Sequence, residues 1–153
     1  MPKLYLGEIL VKNKAITPEQ LQIALYEQKA SGEFLGAILL RKRLITEKDL
    51  LQGLAEQFEV PFMSIKGVYI DWGLVGIFNS SLILDHRCFP LSCDDDYVTF
   101  AINNPLDIWL LGEAEREASP RKIKTVLVSA ADMEELIQRY REYMQNKLKD
   151  VFE

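Results

Sequence analysis

The sequence is poor in what most catalytic sites are built from. It has one histidine and two cysteines among 153 residues. A lone histidine, His86, is a weak basis for a nucleophilic triad, and a helix-end or surface residue is its plainer reading. His86, Cys88 and Cys93 together lack the spacing of a zinc site. No Gly-Lys dipeptide occurs, so there is no phosphate-cradling loop of the Walker type, and no G-x-G-x-x-G. The run Asp94-Asp95-Asp96 reads as an acidic turn more readily than as a cation site. No catalytic or metal residue is assigned, and the expectation is a protein that is not an enzyme.

Long apolar runs are also missing. Nothing approaches the roughly 18–20 residues of a membrane span, and the N-terminal residues lack a signal-peptide core. Two cysteines in a chain of this length suggest reduced thiols, hence a cytoplasmic protein without direct membrane insertion. Positive charge is not in excess either: 18 Lys and Arg stand against 23 Asp and Glu, a net charge of −5. That balance argues against DNA or RNA as a partner. The deficit is unevenly placed. Residues 1–60 carry eight positive and eight negative groups, so the whole excess belongs to residues 61–153. A neutral N-terminal part can accept a small anion that the acidic remainder would repel.

What is present is a repeat. Tyr5-Leu-Gly-Glu-Ile-Leu aligns with Phe34-Leu-Gly-Ala-Ile-Leu, and the match runs without a gap through 5–28 and 34–57. Ten positions are identical, among them Leu6/Leu35, Gly7/Gly36, Leu10/Leu39, Leu21/Leu50, Leu25/Leu54 and Gln28/Gln57. A five-residue spacer, 29–33, separates the copies. Each copy predicts two short helices. Apolar residues fall at helical spacing from Leu6 and from Leu35. Thr17-Pro18 with Gln20, and Thr46 with Asp49, predict capped starts for the second helix of each pair. The leucines serve as core or as contact surface. Glycine within a helix costs on the order of 1 kcal/mol relative to alanine. Its presence at position 7 and again at 36 points to close approach, either helix to helix or backbone to ligand. Gln28 and Gln57 read as ligand contacts or as groups that cap and solvate a helix end.

Beyond Val60-Pro61 the pattern changes. A strand is expected at 62–65 and a helix at about 72–78. Two strands flank the Asp94–Asp96 turn, a helix covers 106–117, a strand covers 122–128, and a long helix follows the Ser129 cap. The fold class is therefore α+β: a four-helix lobe at 1–60, an α/β lobe at 61–145 with three or four strands and a long C-terminal helix, and a tail at 146–153.

The paired motifs resemble those of the N-terminal domain of type II secretion and type IV pilus assembly ATPases, in the subclass that binds cyclic di-GMP. That pattern is R-L-G-x-x-L-x10-L-x3-L-x2-Q, twice, with five residues between. Every position after the opening arginine is matched in both copies; Tyr5 and Phe34 stand where the arginines would be. Val60-Pro-Phe, Phe89-Pro-Leu and the stretch from Thr99 to Asp107 resemble the second lobe. The resemblance implies a regulatory module without the family's ATP hydrolysis, with cyclic di-GMP as candidate ligand and no other cofactor. It places the ligand on Lys3, Tyr5, Leu6, Gly7, Leu21, Leu25, Gln28, Phe34, Leu35, Gly36, Leu50, Leu54 and Gln57. It also implies a protein partner, the cytoplasmic part of an inner-membrane platform protein or a cognate ATPase, which would recruit the domain to that membrane. The alternative is a protein-docking domain that has lost the nucleotide together with its arginines.

Overall fold

A computed structural model describes residues 5–152, so Lys3 lies outside the described residues. The chain divides into two compact units, one ending at Phe62 and the other beginning at Met63.

The first unit contains four helices, α1 (Leu6–Lys12), α2 (Pro18–Ser31), α3 (Leu35–Arg41) and α4 (Glu47–Phe58). The repeat holds bond by bond. Ile9 N–H donates to the Tyr5 carbonyl and Ile38 N–H to Phe34, at 3.0 and 3.2 Å. Ala15 donates back to Leu10 and Leu44 to Leu39, at 2.9 and 3.0 Å. Lys14 donates to Val11 and Arg43 to Leu40, at 3.0 and 2.9 Å. These are the paired bonds of a Schellman closure, which puts its last residue in the left-handed region. Lys14 and Arg43 are there, with φ of 62° and 58°. A non-glycine residue in that region costs on the order of 1 kcal/mol.

Both expected capping boxes form. Thr17 accepts from Gln20 N–H at 3.1 Å, and the Gln20 side chain accepts from Thr17 N–H at 2.9 Å. Thr46 and Asp49 repeat the exchange at 3.1 and 3.0 Å. The pairs Leu6/Leu35, Ile9/Ile38, Leu10/Leu39 and Ile16/Ile45 are buried, with α1 packed on α4 and α2 on α3.

Both motif glycines are sites of close side-chain approach. A Cβ at Gly7 would lie 2.6 Å from Leu21 Cδ1 and 3.3 Å from Leu35 Cδ2. At Gly36 it would lie 2.7 Å from Leu50 Cδ1 and 2.8 Å from Phe34 Cε1. In each copy a leucine of the second helix fills the space that a side chain on the first would occupy. A third contact of this kind was not anticipated. Gly53, equivalent to the fully buried Ala24, faces Leu6 Cδ1 at 2.9 Å and Leu10 Cδ2 at 3.3 Å from its notional Cβ.

The second unit is a three-stranded sheet with helices. The strands β1 (Phe89–Cys93), β2 (Tyr97–Ile102) and β3 (Lys122–Leu127) lie in that order. β1 pairs antiparallel with β2, and β3 runs parallel to β2. The expected hairpin turns on Asp94, whose Oδ1 accepts from the backbone N–H groups of Asp96 and Tyr97 at 2.8 and 2.7 Å. Pro90 sits in the edge strand, where its missing N–H is tolerated, next to a bulge. The parallel crossover is made by α7 (Ile108–Ala118), capped by Asp107. Phe89, Ile83, Ala101, Val128, Met133 and Ile137 form the centre of the core.

Four expectations need correction. The stretch 62–65 is reduced to a β-bridge at Phe62: Met63 N–H donates to the Leu127 carbonyl at 2.9 Å, but Ile65 N–H is taken by Asp132 Oδ2 at 3.1 Å, so no fourth strand develops. The helix expected at 72–78 is shorter, α5 (Trp72–Val75), closed at Gly76, and a further short helix that was not expected, α6 (Ser80–Leu84), starts at the Asn79 cap. The helix expected from Leu106 begins at Ile108, since Asn104 Oδ1 accepts from Leu106 N–H and holds a turn there. The tail expected at 146–153 is helical through Phe152, the last turns of α8 (Ala130–Phe152). Those residues contain no Gly or Pro to stop it.

Two expectations follow. Gly36→Ala should stabilise the protein by less than Gly112→Ala, because displacement of the Leu50 and Phe34 side-chain ends offsets the helix-propensity gain. Gly112→Ala, in an exposed helix position where a Cβ meets nothing within 4 Å, should stabilise by about 0.5–1 kcal/mol. Urea denaturation separates them, and equal gains at the two positions would overturn the packing account. The second concerns the turn. Hydrogen bonds from the Asp96 and Tyr97 backbones hold the Asp94 carboxyl below the ordinary Asp value of 3.8. Its contribution to stability is therefore present above the ordinary value and lost as pH falls through the depressed one. Asp94→Ala should flatten the acid limb of the stability curve, and an unchanged limb would show that the turn does not depend on the charge.

Candidate functional site

The motif residues fall into three groups by exposure. Leu6, Gly7, Leu35, Gly36 and Leu54 are buried. Leu21, Leu25, Gln28, Leu50 and Gln57 are half-buried. Tyr5 and Phe34 are exposed, at 74% and 42%. The two aromatics occupy the cap positions of α1 and α3 in extended backbone, and neither caps its helix with a side-chain hydrogen bond. Phe34 lies over Gly36, as the 2.8 Å approach to its notional Cβ requires.

The structure brings several of these residues together. Leu21 meets Gly7, Leu50 meets Gly36, and Leu35 also reaches Gly7. Gln28 turns back on the spacer, where its Nε2 donates to the Glu33 carbonyl at 3.2 Å. The glycine question left open by the sequence thus has a packing answer. In this conformation leucine side chains cover both glycines, and Leu21, Leu25 and Leu50 with the two glutamines are the motif side chains left half-buried.

The charges of the lobe are partly spent. Arg41 Nη2 contacts Glu27 at 2.9 Å and Glu33 at 3.1 Å, and Lys42 Nζ contacts Glu27 at 3.3 Å. This network ties α2, the spacer and α3 together. Desolvation pushes the Glu27 carboxyl up, but the hydrogen bonds and charges of Lys42 and Arg41 outweigh it and hold the group below its ordinary value. The hydrogen bond it donates to Glu27 and the nearby charges of Glu33 and Glu27 raise Arg41 in turn. Both stay charged, so Arg41 is engaged within the fold.

Chemistry is sparse in the second unit. Cys88 is buried, and burial with nearby Glu117 and Asp107 pushes its thiol up, away from nucleophilic use. Among the described residues no group of three or more His, Cys, Asp or Glu is placed to hold a metal ion. No helix among them is long and apolar enough to cross a membrane. Sequence reasoning missed the exposed cluster Leu106, Ile108 and Trp109 at the start of α7, since apolar residues at a helix start read as core.

Comparison with known proteins agrees with this architecture. A family model described as the MshEN domain matches residues 58–146. Bacteriophage adsorption protein B of Escherichia coli is 33% identical over 123 residues, covering 80% of this chain and 16% of the relative. The type IV pilus assembly ATPase PilB of Myxococcus xanthus is 26% identical over 135 residues, covering 88% and 24%. PilB of Thermus thermophilus is 34% identical over 103 residues, covering 67% and 12%. The chain thus spans a quarter or less of the length of these curated relatives. Among solved structures, MshE with cdg (cyclic di-GMP) is similar in fold, with a TM-score of 0.80 at 23% identity over 90% of this chain and 99% of that one. The N-terminal domain of XpsE is similar with a TM-score of 0.63 at 18% identity, over 88% and 92%. The resemblance to the N-terminal domains of secretion and pilus ATPases, first read from the paired motifs, is borne out. The chain belongs to the MshEN domain family.

Proposed function

We propose that this domain is a non-catalytic regulatory module that binds cyclic di-GMP across its two motif copies and couples occupancy to a protein partner. The repeat carries the reading. Two copies agree in register, capping and backbone bonding, and each presents half-buried leucine and glutamine side chains. A cyclic dinucleotide has two equivalent halves, so a surface made twice suits it. Fold similarity to MshE, solved with cdg, extends over 90% of the chain and supports the same reading.

The chemistry assigned to each residue follows from its exposure. Leu21, Leu25 and Leu50 offer apolar surface to guanine faces, and the amides of Gln28 and Gln57 offer donors and acceptors to polar edges. Leu6, Leu35 and Leu54 lie beneath and hold that surface in place. The rings of Tyr5 and Phe34 stand where the resemblance implies arginines. Stacking of an aromatic ring on a base is worth about 1–3 kcal/mol, comparable to the charge-assisted hydrogen bond it replaces. The partner is the cytoplasmic part of a platform protein or an ATPase of a pilus or secretion-type apparatus, which would bring the cytoplasmic domain to the inner membrane.

A second reading, a protein-docking domain without the nucleotide, is favoured by one observation. Leucine fills both glycine sites, so packing alone accounts for the retained glycines. Isothermal titration calorimetry with cyclic di-GMP in low salt decides between them. The first reading predicts binding at micromolar concentration or tighter, retained within about tenfold when Tyr5→Arg and Phe34→Arg are combined. No heat from the unmodified chain at tens of micromolar ligand, with binding created only by the two arginines, would leave the docking reading standing.

A further inference from the structure

A depression of about 510 Å³ lies in the second unit, between the segment that leads into α5 and one face of α8. Ligand sites usually measure about 300–1,000 Å³. Its walls carry three aromatic rings, Tyr69, Trp72 and Tyr143, and three polar side chains, Arg139, Glu142 and Asn146. The four residues of α8 recur at i, i+3, i+4 and i+7 from Arg139, so they form one stripe along the helix. At about 1.5 Å of rise per residue, that stripe is about 10 Å long.

The aromatic wall is fixed in place. Trp72 stacks on Tyr143 with ring centroids 4.5 Å apart and planes 9° from parallel, and it meets Phe89 of the core in a T-shaped contact at 6.3 Å. Both Trp72 and Tyr143 nevertheless stay half-buried. Tyr69 is 83% exposed and has no ring contact among the described residues. The hydrogen-bonding capacity of the walls is unspent. The Tyr69 and Tyr143 hydroxyls, the Trp72 indole N–H and the Asn146 amide have no hydrogen-bond partner among the described residues. No buried side-chain N or O atom there lacks a partner, so these groups are open to an incoming ligand.

The two charges differ in availability. Arg139 is paired with Glu135 at 3.3 Å, whereas Glu142 accepts only from the neutral Gln138 amide, at 3.4 Å. The groove thus offers an unpaired carboxylate on the unit that carries the chain's negative excess, which favours a basic ligand. A polyproline II segment suits the remaining features. Its backbone carbonyls have no internal partners, and its proline rings dock in aromatic-lined grooves. At about 3.1 Å per residue, three or four residues span the stripe. The free hydroxyl, indole and amide donors match such carbonyls, and Glu142 matches a cation beside them.

We propose that this groove binds a proline-rich segment of a partner protein in the polyproline II conformation, with a lysine or arginine of that segment on Glu142. The site lies wholly in the second unit, and the proposal holds whether or not the first unit binds a nucleotide.

Indole N–H resonances test it. The chain has two tryptophans, and Trp109, in α7, does not line the groove. Titration of the isotope-labelled full chain with decaproline bearing an N-terminal arginine should shift the Trp72 indole signal and leave that of Trp109 fixed. Plain decaproline should bind about tenfold more weakly, and Glu142→Gln should abolish the difference. Tyr69→Ala should weaken binding about tenfold with Tm unchanged, since its ring is exposed and absent from the core. A Gly-Ser peptide with the same arginine should move neither indole. No Trp72 shift with either proline peptide at millimolar concentration would overturn the proposal. An equal shift with the Gly-Ser peptide would reduce the groove to a charge contact and overturn it as well. A shift with maltohexaose but not with the proline peptides would assign the groove to a glycan instead.

Discussion

The helical unit depends on one contact made twice: a leucine side chain set against a helical glycine. Leu21 on Gly7 and Leu50 on Gly36 set a side chain of the second helix of each pair in the space that a Cβ on the first would fill. The remaining regularities follow from that approach. The turn between the helices must be short, which the Schellman closure at Lys14 and Arg43 provides, and the second helix must start at a fixed place, which the Thr17 and Thr46 boxes provide. The same principle recurs once more where Gly53 and Ala24 occupy equivalent buried positions, Gly53 against Leu6 and Leu10. A unit of about sixty residues has little core to spend, so small residues at the crossings set its geometry.

The two units divide the physical work. The first is electrically neutral by sequence and joins its copies with the Arg41 network across α2, the spacer and α3. The second carries the net negative charge and is organised by a small mixed sheet, with Asp132 holding the Ile65 backbone and Asp94 holding the hairpin turn. Neither aspartate is available as a ligand group while it does so.

Most of the helical unit was legible in the sequence because its determinants are local: an N-cap hydroxyl, a proline at the first helical position, and leucines at fixed spacing. The hairpin was legible for the same reason, three aspartates between two β-rich runs. What misled were places where a distant residue intervenes. The stretch 62–65 reads as a strand until Asp132, sixty-seven positions away from Ile65, takes its N–H. The tail at 146–153 lies beyond the last apolar residues that mark the long helix, yet its Lys and Leu residues carry a helix well once α8 is under way. The glycines of the motif were visible as unusual, but only the packing shows leucine filling them. The signal that Gly53 matters was present in its equivalence to Ala24, two small residues in register. The structure sorts the motif residues by exposure, which the sequence does not: Tyr5 and Phe34 outside, Leu21, Leu25 and Leu50 half-buried, Leu6, Leu35 and Leu54 beneath.

The central claim is that the two copies act as one surface toward one ligand. Methyl-resolved nuclear magnetic resonance of the full chain titrated with cyclic di-GMP reads it directly. The account predicts that the methyl signals of Leu21 and Leu50 shift together, saturate at one equivalent and share one dissociation constant, while those of Leu127 and Leu136 in the second unit's core stay fixed. Shifts confined to one copy, or none at saturating nucleotide, would contradict it.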